Sequence, residues 1–157
     1  MKIFYSFGCT KNLDYFKNSL NLKTNFFFRK NDFFFISKKK YEHYYSNNIN
    51  LFVIGKILNK DFLIKTYNYN LNKNFLIEIY KKFGFDKLIS LIDGEALILI
   101  YDSEKNFFYF NNSRFGVFPC YYLFKNNDLI CSSSLKFFAN FLKNNKLNED
   151  YIRRILG

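Results

Sequence analysis

Residues 95–101 are almost continuously apolar, and this segment limits the possible folds more than any other part of the sequence. A strand that lacks polar alternation is covered on both faces. Three further strand-like segments follow it after short polar turns, at residues 106–112, 117–124 and 129–132. We therefore expect a layered domain of antiparallel strands, with at least one strand buried on both sides.

The amino-terminal third of the chain adds shorter strands. Residues 2–7 predict a first strand that ends at Gly8, and residues 50–55 predict another that ends at a glycine. Two phenylalanine triplets, 26–28 and 33–35, flank four polar residues. This pattern predicts a buried hairpin with a tight turn.

The clearest helical spacing lies at residues 75–83, where the apolar side chains fall on one face. Asn72-Lys73-Asn74 offers an N-cap for this helix, and Gly84 would end it. Residues 86–92 predict a second short helix before a turn at Asp93-Gly94, and Ser134 would cap a third. A closing helix is expected near the carboxyl end, within residues 145–157.

This order of elements predicts an α+β fold with antiparallel pairing, and not a βαβ dinucleotide-binding fold. The six glycines are scattered singly, so the sequence contains no glycine-rich phosphate loop. A length of 157 residues suits a single domain that spans residues 1–157. No apolar run approaches the roughly 20 residues of a membrane span, and the first apolar stretch is too short for a secretory signal.

The net charge and the cysteine content limit which partners and which cellular environment are expected. The formal net charge is +11, which would suit a polyanion. However, the abundant Phe, Tyr, Lys, Asn and Ile all have AT-rich codons, and the basic residues are dispersed except at Lys38-Lys39-Lys40. We therefore do not expect nucleic-acid binding. The three cysteines lack Cys-x-x-Cys spacing, which predicts a reduced, cytoplasmic protein without a metal site and without a membrane.

The residue types that could carry chemistry are few. Cys120 and Cys131 lie inside predicted strands among aromatic residues and are interpreted as core residues. His43 is the only histidine; it lies in a polar stretch without a cysteine, serine or aspartate at readable spacing, and is interpreted as a surface residue.

Residues 80–142 carry a family resemblance, through five short segments in order: Tyr80-Lys81-Lys82-Phe83-Gly84, Leu91-Ile92-Asp93-Gly94, Ile100-Tyr101-Asp102, Ser113-Arg114-Phe115-Gly116-Val117-Phe118-Pro119-Cys120-Tyr121-Tyr122 and Ser132-Ser133-Ser134-Leu135-Lys136. The sequence resembles the amino-terminal glutaminase domain of asparagine synthetases and their relatives. These are class II glutamine amidotransferases of the N-terminal-nucleophile (Ntn) type. The most specific run is Arg-Phe-Gly-x-x-Pro-x-Tyr-Tyr, formed by Arg114, Phe115, Gly116, Pro119, Tyr121 and Tyr122.

The resemblance implies an Ntn-hydrolase-like, four-layer αββα sandwich with two antiparallel sheets between helices. It also implies a chemistry. In the family, an amino-terminal cysteine attacks the side-chain amide of glutamine, with its own α-amine as the base. An asparagine side chain and a neighbouring glycine N–H stabilise the oxyanion, while an arginine and an aspartate bind the substrate's α-carboxylate and α-amine. Arg114 is interpreted as a structural hydrogen-bonding residue in preference to a ligand contact.

Carried over by position, most of this chemistry is missing. Lys2 follows Met1 where the family has its nucleophilic cysteine, and Ile54-Gly55 stands where the family has Asn-Gly. The substrate aspartate falls near Asn72, and no arginine lies between Arg29 and Arg114. The resemblance therefore implies a degenerate glutamine pocket at Lys2, Ile54, Gly55 and Asn72, with no catalytic residue.

Cys9 offers an alternative nucleophile only if the chain is cut after Gly8. Such a cut would remove the predicted first strand, and it would leave Ile54 and Asn72 unsuited to the chemistry. We therefore expect neither loss of Met1 nor loss of residues 1–8, and no release of ammonia from glutamine.

Two hypotheses follow. In the first, the chain is an inactive glutaminase-like domain that serves as scaffold or partner for an ATP-pyrophosphatase synthetase domain, as in β-lactam synthetases and lasso-peptide cyclases. That domain would use ATP and Mg, whereas no cofactor is expected in this chain. Its Ser-Gly-Gly-x-Asp-Ser loop does not occur here, and residues 145–157 would lead toward it. In the second hypothesis, the fold is a stand-alone basic module that binds an acidic peptide, protein or nucleic acid. A homo-oligomer is compatible with the first.

Overall fold

The structure is a computed structural model that describes residues 5–10, 26–38, 41–69, 74–125 and 128–142; side chains of residues 125 and 139–142 are not described. Nine strands lie within these ranges: β1 Tyr5–Cys9, β2 Phe26–Lys30, β3 Phe33–Ser37, β4 Glu42–Ser46, β5 Ile49–Ile57, β6 Gly94–Asp102, β7 Phe107–Asn111, β8 Tyr121–Lys125 and β9 Asp128–Ser132. The same ranges contain four helices: α1 Lys60–Thr66, α2 Phe75–Phe83, α3 Phe85–Leu91 and α4 Leu135–Leu142.

The strands form two sheets in which every neighbouring pair is antiparallel. Sheet A has the order β2-β3-β1-β9-β8, and sheet B has the order β4-β5-β6-β7. In sheet A the first strand of the chain is central, with β3 on one side and β9 on the other. The expectation of two antiparallel sheets is therefore confirmed.

The predicted hairpin of the two phenylalanine triplets is confirmed, but only one of its strands is buried. All of β3 is buried, whereas Phe26 and Phe27 of β2 are 38% and 41% exposed. β2 and β3 pair through Lys30 and Phe33, so the turn is the two residues Asn31 and Asp32. Asn31 has φ 53°, a left-handed conformation that asparagine tolerates well in tight hairpin turns. Asn47 repeats the arrangement between β4 and β5, with φ 50°.

Alternation along β5 and β6 divides their side chains between two apolar clusters. Leu51 and Val53 of β5 and Ile98 of β6 pack with buried residues of α2 and α3. Phe52 and Ile54 belong instead to the cluster between the two sheets. This explains why residues 95–101 show no polar alternation, since both faces of β6 are covered.

The cluster between the sheets, hereafter the inter-sheet core, is rich in aromatic side chains. Its buried members are Tyr5, Phe7, Phe33, Phe35, Phe52, Ile54, Leu97, Leu99, Tyr101, Phe118 and Cys131. Phe33 stacks on Tyr101 with ring centroids 4.4 Å apart, and Phe35 stacks on Phe52 at 4.5 Å. Such offset stacking adds to the stabilisation from buried area, so this layer holds the two sheets together.

A third cluster lies on the other face of sheet A, where Phe137 and Phe138 of α4 pack with Phe34, Ile36 and Ile130. The three clusters thus follow one another from α2 and α3, through sheet B and sheet A, to α4. Among the described residues, α2 and α3 therefore pack on sheet B, and α4 packs on sheet A.

The first strand differs from its prediction. It does not end at Gly8 but continues to Cys9, and residues 2–4 lie outside the described residues. A Cβ atom at Gly8 would lie 2.1 Å from the carbonyl oxygen of Leu129. The glycine is needed there because β1 and β9 approach each other closely, and it does not act as a strand terminator.

Three further differences concern strands and helices. β8 begins at Tyr121 and not at residue 117, because residues 112–120 connect one sheet to the other. Neither β4 nor α1 is predicted by the sequence pattern. His43 therefore lies in a strand and not in a polar loop, although its side chain is exposed as predicted.

Helix α2 has its predicted extent, and Gly84 follows it. Its N-cap residue is Asn74, which makes no side-chain capping bond. The amide of Asn74 instead donates to the carbonyl oxygen of Tyr45 and accepts from its N–H, at 2.7 and 3.2 Å. Asn72 and Lys73 lie outside the described residues, as does the predicted closing helix at residues 145–157.

None of the described helices is both long enough and apolar enough to cross a membrane.

Candidate functional site

The two residues predicted to stand at the oxyanion position lie near the end of β5. Ile54 is 1% exposed and its side chain belongs to the inter-sheet core. In the ladder between β5 and β6 it lies opposite Leu97, and Gly55 lies opposite Ala96. The position at which the resemblance places an amide donor is therefore occupied by a buried hydrocarbon side chain.

Gly55 is required by its surroundings. Its φ is 111°, which disfavours a side chain. A Cβ atom there would lie 2.2 Å from the carbonyl oxygen of Glu95 and 2.7 Å from Cζ of Phe118. The backbone of β5 is thus packed directly against β6 and against the ring of Phe118.

The edge of sheet B is open beside this glycine. β4 pairs with β5 only as far as Val53, so no described strand covers residues 54–57 on that side. The side chain of Lys56 is exposed there. Backbone groups at this edge could still contact a ligand or another chain.

The remaining residues of the predicted pocket cannot be placed beside Ile54 and Gly55. Lys2 and Asn72 lie outside the described residues, as do Lys39 and Lys40 of the basic run. Arg29 lies exposed in β2, and its Nε donates to the carbonyl oxygen of Asn31. The assignment of these positions stays a prediction.

The family-like run from Arg114 to Tyr122 begins in the connection between β7 of sheet B and β8 of sheet A. A turn opens the connection, in which Gly116 N–H donates to the carbonyl oxygen of Ser113 at 2.9 Å. Val117 N–H donates to Ser113 Oγ at 3.1 Å. Gly116 has φ 62°, and a Cβ atom there would meet nothing within 4 Å, so its conformation is what favours glycine.

The second half of the connection is fixed to the core. Tyr5 Oη donates to the carbonyl oxygen of Pro119 at 2.5 Å. Asn112 Nδ2 donates to the carbonyl oxygen of Phe118 at 2.5 Å, and the ring of Phe118 is buried in the inter-sheet core. Sequence reasoning missed both Tyr5 and Phe118, because neither the motif nor a periodic pattern marks them.

Several apolar side chains of the same run are exposed. Phe115 is 79% exposed and Tyr122 is 75% exposed, and the neighbouring Val117 and Phe124 are also exposed. β8 is an edge strand of sheet A within the described residues. Exposed apolar side chains beside an edge strand are typical of a surface that contacts another chain.

The three cysteines are free, and they differ in environment. Burial, together with Asp32 and Asp128, raises the pKa of Cys9 to about 11. Cys131 is buried, and its hydrogen bond with Cys120 and its burial raise its pKa, whereas the same bond lowers the pKa of Cys120. Cys9 is therefore a poor nucleophile at neutral pH, since only the thiolate reacts.

A cavity of about 520 Å³, hereafter the β6–β7 cavity, lies beside the first half of β6, the end of β7 and the turn of Arg114. Its polar wall contains Asp93, Glu95, Asn111 and Arg114. One carboxylate oxygen of Glu95, Oε2, is buried and has no hydrogen-bond partner among the described residues. Neither Ile54 nor Gly55 lines this cavity.

Within the described part of the chain, no three His, Cys, Asp or Glu side chains are grouped so that they could hold a metal ion.

The fold and this arrangement agree with a comparison to known families. Residues 37–140, about two thirds of the chain, match the family described as glutamine amidotransferase domain. The chain therefore belongs to the class II glutamine amidotransferase domain family. Membership implies an Ntn-type fold, with which the two packed antiparallel sheets agree.

A curated relative makes the relationship to asparagine synthetase more specific. A segment of 61 residues is 34% identical to a protein of Methanocaldococcus jannaschii whose name describes it as a candidate glutamine-hydrolyzing asparagine synthetase, number 2. The match covers 39% of this chain and 12% of that protein. The chain thus matches only a small part of the length of this relative.

Proposed function

We propose that this domain has the glutaminase fold without glutaminase activity, and that it supports an ATP-pyrophosphatase synthetase domain of an asparagine synthetase-like, amide-forming system. ATP and Mg would bind to the synthetase domain and not to this one. The observation that supports the first half of the proposal is the burial of Ile54, the residue at the position that the resemblance assigns to an oxyanion donor.

An oxyanion donor stabilises the negative charge that develops in the transition state, so its loss slows the reaction. Removal of a single oxyanion donor lowers the rate of acyl transfer by a factor of about 10²–10³. An isoleucine provides no donor, and its side chain is buried among the apolar side chains of the inter-sheet core.

The environment of Cys9 also supports the proposal. A cut before Cys9 would remove all the other residues of β1, which is the central strand of sheet A. In the intact chain, a pKa of about 11 leaves only about a thousandth of the Cys9 thiol ionised at pH 8.

The activity half of the proposal is tested with glutamine and with a diazoketone analogue of glutamine that alkylates the catalytic cysteine of active glutaminases. The whole chain is incubated with each compound, with an active class II glutaminase as the positive control. We expect no ammonia and no mass increase in the intact chain. Stoichiometric labelling of any cysteine, lost when glutamine competes, would contradict the proposal.

The partner half of the proposal is supported by the exposed apolar residues beside β8. The curated relative has a much longer chain than the segment matched here, so a surface that meets further protein is expected in this family. We assign this role to Phe115, Val117, Tyr122 and Phe124, hereafter the β8 surface.

Binding to a synthetase domain with the Ser-Gly-Gly-x-Asp-Ser loop tests this assignment. Phe115→Lys and Tyr122→Lys are expected to weaken binding about tenfold or more, since central aromatic side chains dominate interfaces. Phe62→Lys is the matched control, because Phe62 of α1 is 65% exposed outside the β8 surface. Equal binding by all three variants would exclude the β8 surface, and self-association that depends on Tyr122 would instead indicate a homo-oligomer.

A further inference from the structure

Apart from Phe115, which also belongs to the β8 surface, the residues of the β6–β7 cavity have no part in the proposed function. The cavity has a volume of about 520 Å³, which lies in the range of small-molecule sites. Its residues come from α3, β6, β7 and the β7–β8 connection, so several rigid elements enclose it.

The acidic side of the cavity contains an unsatisfied group. Glu95 lines the cavity, and its Oε2 atom is buried without a hydrogen-bond partner among the described residues. A buried carboxylate oxygen without a donor is costly, because the protein has removed its water and supplied nothing in exchange. Oε2 itself is closed off from the cavity, so an ammonium group would reach it only after the Glu95 side chain turns its carboxylate toward the cavity. The ligand would then supply both a donor and the opposite charge.

The opposite charge in the cavity wall belongs to Arg114. Its side chain is exposed, and no hydrogen bond or ion pair joins it to any described residue. A free guanidinium group presents a planar fork of donors that matches a carboxylate. The structural hydrogen-bonding role expected for Arg114 from the sequence has no described partner, which leaves the guanidinium available to a ligand.

The backbone on both sides of the cavity is held in place before any ligand binds. On one side, the amide of Asn59 accepts from Asp93 N–H at 3.0 Å and donates to the carbonyl oxygen of Leu91 at 2.8 Å. On the other side, Ser113 Oγ accepts from Val117 N–H across the turn that contains Arg114. Such preorganisation lowers the entropy lost on binding.

The rest of the wall is apolar and includes Leu58, Ile89, Ile92 and Ala96. An aliphatic side chain of a ligand that packs against these residues would be transferred out of water, and burial of apolar surface is favourable. The cavity therefore combines a negative group, a positive group and an apolar wall.

We propose that the β6–β7 cavity binds an α-amino acid with an apolar side chain, whose ammonium group contacts Glu95 and whose carboxylate contacts Arg114. This site is separate from the degenerate glutamine pocket, because neither Ile54 nor Gly55 lines it. The inference holds whether or not the domain hydrolyses glutamine.

Calorimetric titration of the whole chain with four probes tests the proposal. L-leucine carries both charged groups, 3-methylbutylamine lacks the carboxylate, 4-methylpentanoate lacks the amine, and glycine lacks the side chain. We expect leucine to bind about tenfold or more tightly than each of the other three, since a charged hydrogen bond corresponds to about that factor.

Two variants assign the charged groups through a crossed pattern. Glu95→Gln should weaken binding of leucine and of the amine about tenfold, and should leave binding of 4-methylpentanoate unchanged. Arg114→Gln should weaken binding of leucine and of 4-methylpentanoate, and should leave the amine unchanged. Glu104→Gln and Arg29→Gln are the matched controls, because both side chains are exposed outside the cavity.

Folding of each variant is verified by circular dichroism and thermal unfolding. If Glu95→Gln does not fold, Arg114→Gln, at an exposed position, still tests the carboxylate contact, and the comparison of leucine with 4-methylpentanoate still tests the ammonium contact. Failure of leucine to bind at tens of millimolar overturns the proposal. Equal binding of all four probes, or leucine affinity that neither charge variant changes, overturns it as well.

Discussion

Two regions of the molecule meet at β6 and have opposite character. On one side of the strand, Leu97 packs with Ile54 in the inter-sheet core, which is closed and apolar. On the other side, Ala96 lines the β6–β7 cavity, whose wall includes both acidic and basic side chains. The position that the resemblance assigns to an oxyanion donor is filled by a packed side chain, whereas the neighbouring cavity is open.

The contrast shows where polar side chains lie in the described part of the fold: they line the cavity and are scarce in the inter-sheet core. Within the inter-sheet core, Ile54 is buried and the ring of Phe118 lies against the backbone of Gly55. At the cavity, Glu95 keeps a carboxylate oxygen that no described residue satisfies. A buried polar group without a structural partner is expensive, and this cost is the reason for proposing a ligand at the cavity.

The largest expected effect comes from a side chain introduced at Gly55. Gly55→Ala should lower the free energy of unfolding by about 4 kcal/mol or more, because the new methyl group overlaps backbone and a packed ring. Gly84→Ala is the control. Gly84 also has positive φ, 82°, with ψ 176°, but a Cβ atom there would meet nothing within 4 Å, so only the backbone strain of about 1–3 kcal/mol is expected.

Urea denaturation of both variants measures the difference. Equal losses at the two glycines would mean that the inter-sheet core is loosely packed beside Gly55. In that case the closed character of this region, and with it the comparison, would be wrong.

The second largest effect is expected from restoring the amide of the family. Ile54→Asn should destabilise the domain by about 3 kcal/mol, because it buries an amide among aromatic and aliphatic side chains. Leu58→Asn, at a residue that is 62% exposed and lines the cavity, should change stability by less than about 1 kcal/mol.

Chemical denaturation and an ammonia assay are applied to both variants. We expect no glutaminase activity from Ile54→Asn, since a donor without a nucleophile does not restore the reaction. A small stability loss together with ammonia release would show that the region is an accessible glutamine pocket.

The sequence predicts the fold better than it predicts the candidate site, and particular residues show the physical reason. The periodicity of residues 75–83 and the paired phenylalanine triplets determine local structure, and both elements were predicted. The alternation of apolar residues in strands and the capping residues of helices do not determine which faces of these elements pack together. The burial of Phe118 beside Gly55 could therefore not be derived from them.

The candidate site shows the same limit. Ile54 was identified because the resemblance assigns its position, and the structure adds that it is buried. Glu95 was not identified, because a single acidic residue at the start of an apolar strand gives no signal in one sequence. Its unsatisfied oxygen and its place beside Arg114 in a cavity wall emerge only from the tertiary structure.

A smaller effect on stability is expected from Tyr5, which holds the connection between β7 and β8 in place. Burial, with Cys120 and Cys131 nearby, raises the pKa of Tyr5 well above its usual range, so its hydroxyl stays protonated and donates to Pro119. Tyr5→Phe should lower stability by about 1 kcal/mol. Tyr45→Phe, at an exposed ring, should be neutral within about 0.5 kcal/mol.

Hydrogen exchange of the Val117 amide shows whether the connection is a single rigid unit. If it is, Tyr5→Phe should increase exchange at Val117, although the bond to Ser113 Oγ is not itself removed. Unchanged exchange would mean that the cavity side of the connection is independent of the inter-sheet core.

The smallest expected effect is on the pH dependence of the free energy of unfolding, through His43 at the edge of the inter-sheet core. The His43 ring stacks on Phe52 with centroids 4.5 Å apart, and its Nε2 lies 3.2 Å from Asn50 Oδ1. Partial burial lowers the pKa of His43 below its ordinary value, and the hydrogen bond opposes the shift only in part. The unfolded chain, with a histidine pKa of about 6.5, therefore binds a proton more readily than the folded chain.

Stability contributed by neutral His43 should be complete above about pH 6.5 and should fall as the pH decreases toward the folded-state pKa. Thermal unfolding of the wild-type chain and of His43→Gln between about pH 8 and pH 5 isolates this contribution, since the carboxylates are common to both. The wild-type chain should lose more stability than the variant across this interval. A smaller loss in the wild-type chain would mean that protonated His43 is favoured by the fold. The ring of Phe52, a buried member of the inter-sheet core, would then stabilise the charged imidazolium.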